Sequence, residues 1–151
     1  MKAVLQCCSS GTVTVDGEIK GSVGRGYVIL VGITTQDTEA EARLLAEKCT
    51  ALRVFEDQNG KLNLSVKDID GEMLVISNFT LCADARHGRR PSYINAARPE
   101  TALPLYEYFV NYLRELGVKK VDTGVFGAEM KVDICNDGPV TLVLDTAELT
   151  K

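Results

Sequence analysis

The stretch Asn136-Asp137-Gly138-Pro139-Val140-Thr141 decides how the last part of this 151-residue chain folds. It follows an apolar run, Met130–Cys135, and passes directly into another, Val140–Leu144. Asn, Asp and Gly favour tight turns, and apolar runs on both sides of such a turn are typical of a β-hairpin. The pattern therefore predicts two strands joined by a tight turn.

The Gly138–Pro139 pair within this stretch has unusual chemistry. Proline lacks an N–H and fixes φ, and the peptide bond before it can be cis at a cost of only about 0.5–1 kcal/mol. Glycine has no Cβ, which leaves its carbonyl and Cα open to close approach by another group. The pair can therefore present a rigid set of backbone carbonyls that gauges the stereochemistry of a ligand. An ordinary turn is the alternative.

Length and composition predict one soluble domain spanning residues 1–151. A chain of this length buries a core without staples, and 45% hydrophobic with 25% charged residues is typical of globular proteins. The net charge is −4 and there is no basic tail, so we expect no DNA partner and only local contacts with RNA. No apolar stretch approaches the roughly 18–20 residues that span a bilayer, and a signal-peptide core is lacking. We expect a cytoplasmic protein with no membrane partner.

The cysteines argue against a metal site. There are five, at positions 7, 8, 49, 82 and 135, without C-x-x-C spacing, and His87 is the only histidine. Structural zinc sites need paired thiolates or Cys/His clusters. We therefore predict reduced thiols, no metal and no cofactor.

Alternating and β-branched runs predict that the first third of the chain is a β-meander. Strands are expected at Ala3–Cys8 and Thr12–Val15, and Asp16-Gly17 is a two-residue hairpin signal. The β-branched run Tyr27–Ile33 predicts a strand buried on both faces. Gly24-Arg25-Gly26 before it is not a dinucleotide-binding motif, since no helix follows, and we interpret it as a turn.

Helical spacing of apolar residues predicts two helices packed on the sheet. One follows a cap at Asp37-Thr38-Glu39 and runs through Thr50, and the other spans Thr101–Leu116. Between them, the apolar run Glu72–Leu81 predicts a second buried strand. The predicted fold class is α/β (α+β).

Two polar segments are candidate functional sites. Ser77, Asn78 and Thr80 lie at the end of the predicted strand 72–81, where polar groups must bond to neighbouring backbone or face a site. The one dense basic segment follows at 84–93. Phosphate contacts suit its three arginines, Arg86, Arg89 and Arg90. A solvated loop is the alternative for this segment.

Together these segments resemble the D-aminoacyl-tRNA deacylase (D-Tyr-tRNA deacylase) family. The resemblance is carried by Ser77-Asn78-Phe79-Thr80-Leu81, Asn136–Thr141, Gln6 and Thr12–Gly17. It runs along essentially the whole chain, including Gly24–Gly26, Asp84–Pro91 and Phe126–Met130. It implies a compact β-barrel-like sheet of antiparallel and mixed strands with two packed helices. It also implies a homodimer whose two active sites lie at the subunit interface.

The implied reaction is hydrolysis of the ester that joins a D-amino acid to the 3′-terminal adenosine of tRNA, a proofreading step of translation. The family pattern implies that the Gly138–Pro139 bond is cis and inserts into the partner subunit's pocket. Its carbonyls would hold the α-amino side of a D-aminoacyl group and exclude an L side chain. Glycine has no side chain, so Gly-tRNA is an expected further substrate. Aminoacyl-tRNA, through its 3′ end, is the expected partner.

The resemblance assigns site residues in three groups. The backbone N–H groups of Phe79 and Thr80 suit stabilisation of an oxyanion, and the alternative for Thr80 is a nucleophilic hydroxyl. That hydroxyl would need a positioned base, whereas a water helped by the substrate's ribose 2′-OH needs fewer protein groups. Substrate binding is expected from Ser77, Asn78, Met130, Asn136, Gly138, Pro139 and Thr141. Binding of tRNA is expected from Arg86, Arg89 and Arg90.

Two positions depart from the family pattern, which usually has Gln in place of Asn78 and Arg in place of Cys7. Asn keeps the amide but is one methylene shorter, so a hydrogen bond at the site must shift or pass through a water. Loss of the arginine removes a planar group whose five donors can brace neighbouring carbonyls.

Three alternative functions fit the same residues. A sister activity on small mischarged L-aminoacyl-tRNA requires a more open Gly138–Pro139 unit, for example with a trans bond. A non-catalytic tRNA-binding module predicts binding without ester cleavage. A cysteine-dependent hydrolase using Cys82 or Cys135 needs a histidine within reach.

Overall fold

The structure, a computed structural model, describes residues 1–149. Residues 150 and 151, the end of the predicted domain 1–151, lie outside the described residues. The described chain forms eight strands, two α-helices and one 3₁₀ helix. In chain order these are β1 (Lys2–Val15), β2 (Glu18–Val23), β3 (Gly26–Gly32), α1 (Glu39–Ala51), β4 (Phe55–Glu56), β5 (Leu62–Leu64), β6 (Glu72–Ser77), the 3₁₀ helix (Phe79–Cys82), α2 (Pro99–Glu115), β7 (Lys120–Thr123) and β8 (Lys131–Asp145).

Strand β1 is the centre of the sheet. One edge pairs antiparallel with β3 through Lys2–Cys8 and with β2 through Gly11–Val15, and the other edge pairs with β8. The predicted hairpin at Asp16-Gly17 is confirmed, with φ of 50° and 78° at the two turn residues. The predicted meander is wrong, because β3 pairs with the first half of β1 rather than with β2. β1 also continues through 9–11, so one strand replaces the two predicted.

Strands β3, β6 and β7 are parallel neighbours, which gives the order β2-β1-β3-β6-β7 with β8 on β1. The two ends of this order approach each other. The backbone N–H of Ser22 in β2 donates to a carboxylate oxygen of Asp122 in β7 at 2.9 Å, and Lys120 donates to the Ser22 carbonyl at 2.7 Å. The mixed sheet is therefore barrel-like and carries two helices, which confirms the predicted fold class.

The hairpin predicted around residues 136–141 is wrong. Lys131–Asp145 forms one strand, β8, and both of its halves pair with β1 instead of with each other. Gln6 faces Thr141 and Cys8 faces Asn136, so the four residues 137–140 stand opposite a single residue of β1. The reason is that β1 runs unbroken for 14 residues and offers one partner to both apolar runs. The turn chemistry of the sequence produces a large bulge instead of a reversal.

The helices form as their sequence signals predict. Thr38 caps α1, and its backbone N–H donates to the Glu41 side chain at 2.8 Å, which completes a capping box. α2 begins two residues before the predicted start, at Pro99, because proline is well tolerated in a first helical turn. Leu45 and Phe109 of the two helices are fully buried against the sheet in the main core. Neither described helix has the length and apolar content needed to cross a membrane.

Candidate active site

The predicted strand 72–81 is shorter in the structure, and its polar end forms a turn. β6 stops at Ser77, and Phe79–Cys82 is a 3₁₀ helix. The backbone N–H of Asn78 donates to a carbonyl of β3 at 2.7 Å, which anchors the turn to the neighbouring strand. β3 ends in Gly32, where a Cβ would lie 2.9 Å from a side chain of the 3₁₀ helix. The missing Cβ therefore lets the chain fold over the end of β3.

The turn leaves two successive backbone donors free. The N–H groups of Phe79 and Thr80 have no acceptor within residues 1–149, whereas that of Leu81 donates to the Asn78 carbonyl at 3.3 Å. The Thr80 hydroxyl donates to the side-chain oxygen of Asn78. An amide oxygen is too weak a base to take that hydroxyl proton, so the contact favours a backbone role for Thr80 over a nucleophilic one.

A cavity of about 750 Å³ opens beside this turn, and Phe79 lines it whereas Thr80 does not. Its wall is mainly apolar, with side chains from β3, β6, β8 and α2. Arg98 is the only cationic residue among those that line it. Mostly apolar cavities with a few polar groups are the usual form of small-molecule sites. The cavity brings together four of the predicted substrate-binding or catalytic residues, Ser77, Asn78, Phe79 and Met130.

A second cluster lies beneath the bulge of β8. The Asn136 side-chain amide donates to the Cys7 carbonyl at 2.9 Å and to the Gln6 side-chain oxygen at 3.1 Å. It also reaches the Val140 carbonyl at 3.5 Å, and the Thr141 hydroxyl donates to Gln6. Asn136 thus ties one side of the bulge to the other and to β1. This network fixes the four residues 137–140 that do not pair with β1.

The top of the bulge presents backbone. Gly138 and Pro139 are exposed, and the peptide bond between them is cis, which confirms that prediction. Gly138 has a φ of 127°, and a Cβ there would lie 2.9 Å from the backbone nitrogen of Val140. An L side chain is therefore strained at this position. The bulge therefore requires glycine at position 138, and glycine leaves its own carbonyl and Cα uncovered.

Within one chain, the two clusters are separate. Asn136, Gly138, Pro139 and Thr141 do not line the large cavity. Gly138 instead borders a smaller cavity of about 140 Å³ on the side of Cys7. The predicted site residues thus form two groups, a strand end with free N–H donors and a bulge with open carbonyls.

Hydrogen bonds close the base of the basic segment 84–93, and one of its arginines is paired with a carboxylate. Reciprocal backbone hydrogen bonds of 2.8 Å join Asp84 to Ser92. Arg86 forms a two-pronged contact with Asp84, with distances of 2.9 and 2.6 Å. The hydrogen bond from this guanidinium lowers the pKa of the Asp84 carboxyl to about 2. Arg89 and Arg90 are exposed and form no ion pair within residues 1–149.

The thiols are poorly placed for catalysis. Cys82 is buried, donates to the Ile33 carbonyl at 3.4 Å, and has its pKa raised by burial. Burial also raises the pKa of Cys7 to about 11. Thiolates are the nucleophilic form of cysteine, so these environments disfavour a cysteine-dependent hydrolase. Cys135 is exposed. Among the described residues, no group of three or more His, Cys, Asp or Glu side chains is arranged as a metal site.

Two residues of these clusters have no role in the sequence-based assignment. Gln6 accepts hydrogen bonds from both Asn136 and Thr141, and its polar side chain within the run Ala3–Cys8 was a usable signal. Arg98 lines the large cavity just before α2. Arg98 is about twenty residues from the turn that lines the cavity, and no sequence pattern links the two positions. Only the tertiary fold brings Arg98 to the cavity.

Known proteins are similar in sequence to this chain along nearly its whole length. Residues 4–145 match the protein family described as D-Tyr-tRNA(Tyr) deacylase. A D-aminoacyl-tRNA deacylase of Thermus aquaticus is 54% identical over 148 residues, covering 98% of this chain and 97% of that protein. A D-aminoacyl-tRNA deacylase of Roseiflexus castenholzii is 56% identical over 147 residues, covering 97% and 93% of the two chains.

Solved structures share the fold. A structure of the c-Myc DNA Unwinding Element Binding Protein superposes with a TM-score of 0.91 at 41% identity, covering 96% of this chain and 98% of that one. A probable eukaryotic D-amino acid tRNA deacylase superposes with a TM-score of 0.82 over 95% of this chain and 97% of that one. At 15% identity, this second likeness concerns the fold alone.

Proposed function

The chain belongs to the D-Tyr-tRNA(Tyr) deacylase family, and from this premise we propose that it hydrolyses D-aminoacyl-tRNA and Gly-tRNA while it spares L-aminoacyl-tRNA. The protein is an enzyme, an ester hydrolase of aminoacyl-tRNA, as its close relatives are named. We propose that it acts as one domain over residues 1–151, in the cytoplasm, in the quality control of translation. The free N–H groups of Phe79, which lines the large cavity, and of the adjacent Thr80 carry the proposal.

Hydrolysis begins with attack of a water on the ester carbonyl carbon. The carbonyl oxygen becomes an oxyanion, and the N–H groups of Phe79 and Thr80 stabilise its charge. The bond to the ribose oxygen then breaks, and the proton lost by the water passes to that oxygen. The ribose 2′-OH of the substrate is close enough to the ester to assist the water, so no side-chain base is required. Ser77, Asn78 and Met130 border the aminoacyl end in the cavity.

Selectivity for the D configuration comes from the bulge of β8. The carbonyls of Gly138 and Pro139 face the α-carbon of the substrate and bind its amino group. The side chain of an L-aminoacyl group points into this backbone and collides with it. The side chain of a D-aminoacyl group points away, and a glycyl group has no side chain that could collide. Support for this role is the exposed Gly138, which has no side chain to cover its carbonyl, and the network of Asn136, Gln6 and Thr141 that holds the bulge.

The active site is completed by a second copy of the chain in a homodimer. The bulge and the large cavity are separate in one chain, so a bulge that closes the cavity must come from a partner. Large apolar side chains are exposed at the strand end, in the loop that follows it and on β8, including Phe79 at 59%, Ile94 at 82% and Val143 at 78%. Exposed apolar groups of this size are typical of interaction surfaces.

Cations around the cavity bind the 3′ end of tRNA. Arg98 lies at the cavity itself, and the loop that follows the 3₁₀ helix carries Arg89 and Arg90 with free guanidinium groups. Arg86 is bound to Asp84, so its part is to shape the loop more than to contact phosphate. Guanidinium groups suit phosphate because they donate in a planar fork.

Complementation between two inactive variants tests the shared site. Phe79→Pro removes a donor of the strand end, and Gly138→Ala damages the bulge. A mixed dimer then contains one site built from the intact strand end of one chain and the intact bulge of the other. We expect release of D-Tyr from D-Tyr-tRNA to recover to a substantial fraction of the wild-type rate after the variants are unfolded together and refolded.

Each variant refolded alone is the control for this experiment. Recovery only in the mixture requires a site made of two chains. Absence of recovery, with dimers detected by sedimentation, contradicts the shared site. Absence of D-Tyr release by the wild-type protein contradicts the proposed activity itself.

A further inference from the structure

The Gly24-Arg25-Gly26 segment, interpreted from sequence as an ordinary turn, places a guanidinium beside the bulge of β8. Arg25, Cys7, Asp137 and Gly138 all line the small cavity of about 140 Å³. Arg25 is the only cationic residue among those that line it. Cys7 and Val140, whose carbonyls accept from the Asn136 amide, also line this cavity, so a guanidinium here lies where it can add to the support of the bulge.

The backbone of Arg25 is held firmly. Its carbonyl accepts a hydrogen bond of 2.9 Å from the Glu72 backbone N–H, and the Gly24 N–H donates to the Glu72 carboxylate at 2.8 Å. Gly26 lies so close to β6 that a Cβ would be 1.8 Å from the Glu72 carbonyl oxygen. These contacts are tighter than a surface turn needs. They fix the point from which the Arg25 side chain extends.

The side chain is oriented but its donors are unused. The guanidinium carbon lies 5.7 Å from the centre of the Phe55 ring, which holds the group over an aromatic face. Within residues 1–149, Arg25 forms no ion pair and its guanidinium has no hydrogen-bond acceptor. Nearby are the backbone of Gly138 and the carboxylate of Asp137, both of which accept hydrogen bonds.

We propose that Arg25 is a positioning residue that braces the bulge of β8 from the small cavity and so keeps the Gly138 carbonyl aimed at the substrate. This inference rests on the proposed role of the bulge in selectivity. In the proposed brace, the guanidinium donates to the Asp137 carboxylate and the adjoining backbone across the small cavity that these residues line together, and it adds to the hydrogen bond from Asn136 to the Cys7 carbonyl. A planar group with five donors is suited to such bracing, because it can reach two acceptors at once.

Three variants test the proposal by kcat/KM for D-Tyr-tRNA and L-Tyr-tRNA. For Arg25→Ala we expect the D rate to fall about tenfold, the effect of one lost charged hydrogen bond, and the ratio of D to L rates to fall with it. Arg25→Lys keeps the charge without the fork, so an intermediate ratio is expected. In Arg25→Ala with Cys7→Arg, a guanidinium is supplied from position 7, which lines the same cavity, and recovery of the ratio is expected.

The outcomes separate this inference from the proposed function. If wild-type protein shows no D preference, the gauge fails and Arg25 has nothing to position. If wild-type protein prefers the D ester and Arg25→Ala keeps the full ratio, the inference alone is wrong. An equal loss for D and L esters that depends on salt identifies Arg25 as a phosphate contact and overturns the inference. Unchanged melting temperatures show that each variant is folded.

Discussion

The strand end at 77–80 and the bulge at 137–140 both expose backbone groups, but the strand end exposes N–H donors and the bulge exposes carbonyl acceptors. At the strand end, a 3₁₀ turn leaves the N–H groups of Phe79 and Thr80 without acceptors. At the bulge, a glycine and a proline leave carbonyls uncovered, held from below by the side chain of Asn136. Free donors suit a developing negative charge, whereas bare carbonyls suit the recognition of shape. In the proposed function, the strand end therefore sets the rate and the bulge sets the selectivity.

The largest loss of activity is expected from removal of one backbone donor of the strand end. Phe79→Pro deletes the N–H at the first position of the 3₁₀ helix, where proline fits, and Asn78 before it has an extended φ of −146°. We expect kcat to fall about 10²–10³-fold, as is usual for a lost oxyanion donor. D-Tyr-tRNA and Gly-tRNA should lose rate by the same factor in single-turnover assays.

Phe79→Ala is the matched control, because it removes the exposed ring and keeps the N–H. A loss in Phe79→Ala as large as in Phe79→Pro would assign the effect to the ring. Thr80→Ala removes the hydroxyl alone, and we expect its rate to stay within about threefold of wild type. A large loss there would restore the nucleophilic interpretation of Thr80.

At the bulge, the expected effect is smaller on rate and larger on selectivity. A Cβ at Gly138 would lie 2.9 Å from the Val140 nitrogen, so Gly138→Ala must move the bulge. Displacement of a positioning group by about 1 Å costs roughly 10²-fold. We expect that loss for D-Tyr-tRNA and a lower ratio of D to L rates.

Gly117→Ala is the control for this substitution. Gly117 also has a positive φ, 91°, but a Cβ there would meet nothing within 4 Å, and it lies after α2, away from both clusters. It should lose some stability and keep its selectivity. A ratio of D to L rates that is unchanged in Gly138→Ala would contradict the role of the bulge.

A smaller effect is expected from substitution of Arg98, and it should appear in substrate binding and not in the chemical step. Arg98→Ala removes the cation at the large cavity, and we expect KM for D-Tyr-tRNA to rise about tenfold at an unchanged kcat. The slope of log KM against log salt should decrease. Arg86→Ala is the comparison, since its guanidinium is already bound to Asp84 and should contribute less. Equal effects of the two substitutions would contradict the assignment.

The smallest effect is expected from the thiols. Iodoacetamide at neutral pH should modify exposed Cys135 before buried Cys7 and Cys82, whose pKa values burial raises. Activity should change less than about twofold in Cys135→Ser, because the proposed mechanism uses no thiol. Loss of activity in that variant would revive the cysteine-dependent hydrolase.

Local signals predicted much of this molecule from sequence. The capping residues Thr38 and Glu41, the Asp16-Gly17 hairpin and the polar residues at the end of β6 act within a few positions of one another, so their patterns can be recognised. The bulge was misread as a hairpin turn, because its residues have turn chemistry and its pairing partner, β1, lies 130 residues away at the Asn136–Gln6 contact. Residues 136–141 alone cannot indicate that β1 is long enough to pair with both halves of β8.

The same limit applies to the residues of the candidate site, where sequence neighbours are grouped correctly and distant residues are not. Ser77, Asn78 and Phe79 are neighbours in sequence and also in the large cavity. Arg98 reaches that cavity, and Arg25 reaches the bulge, only through the packing of distant elements. No spacing rule connects such residues before the fold is known.

In the proposed function, the strand end cleaves the ester and the bulge selects its configuration. Single-turnover rates for D-Tyr-tRNA, Gly-tRNA and L-Tyr-tRNA with the purified protein test both halves at once. We expect rapid hydrolysis of the D and glycyl esters and hydrolysis of the L ester at the uncatalysed rate. Comparable cleavage of the D and L esters would contradict the selecting role of Gly138–Pro139, and cleavage of none would contradict the assigned reaction.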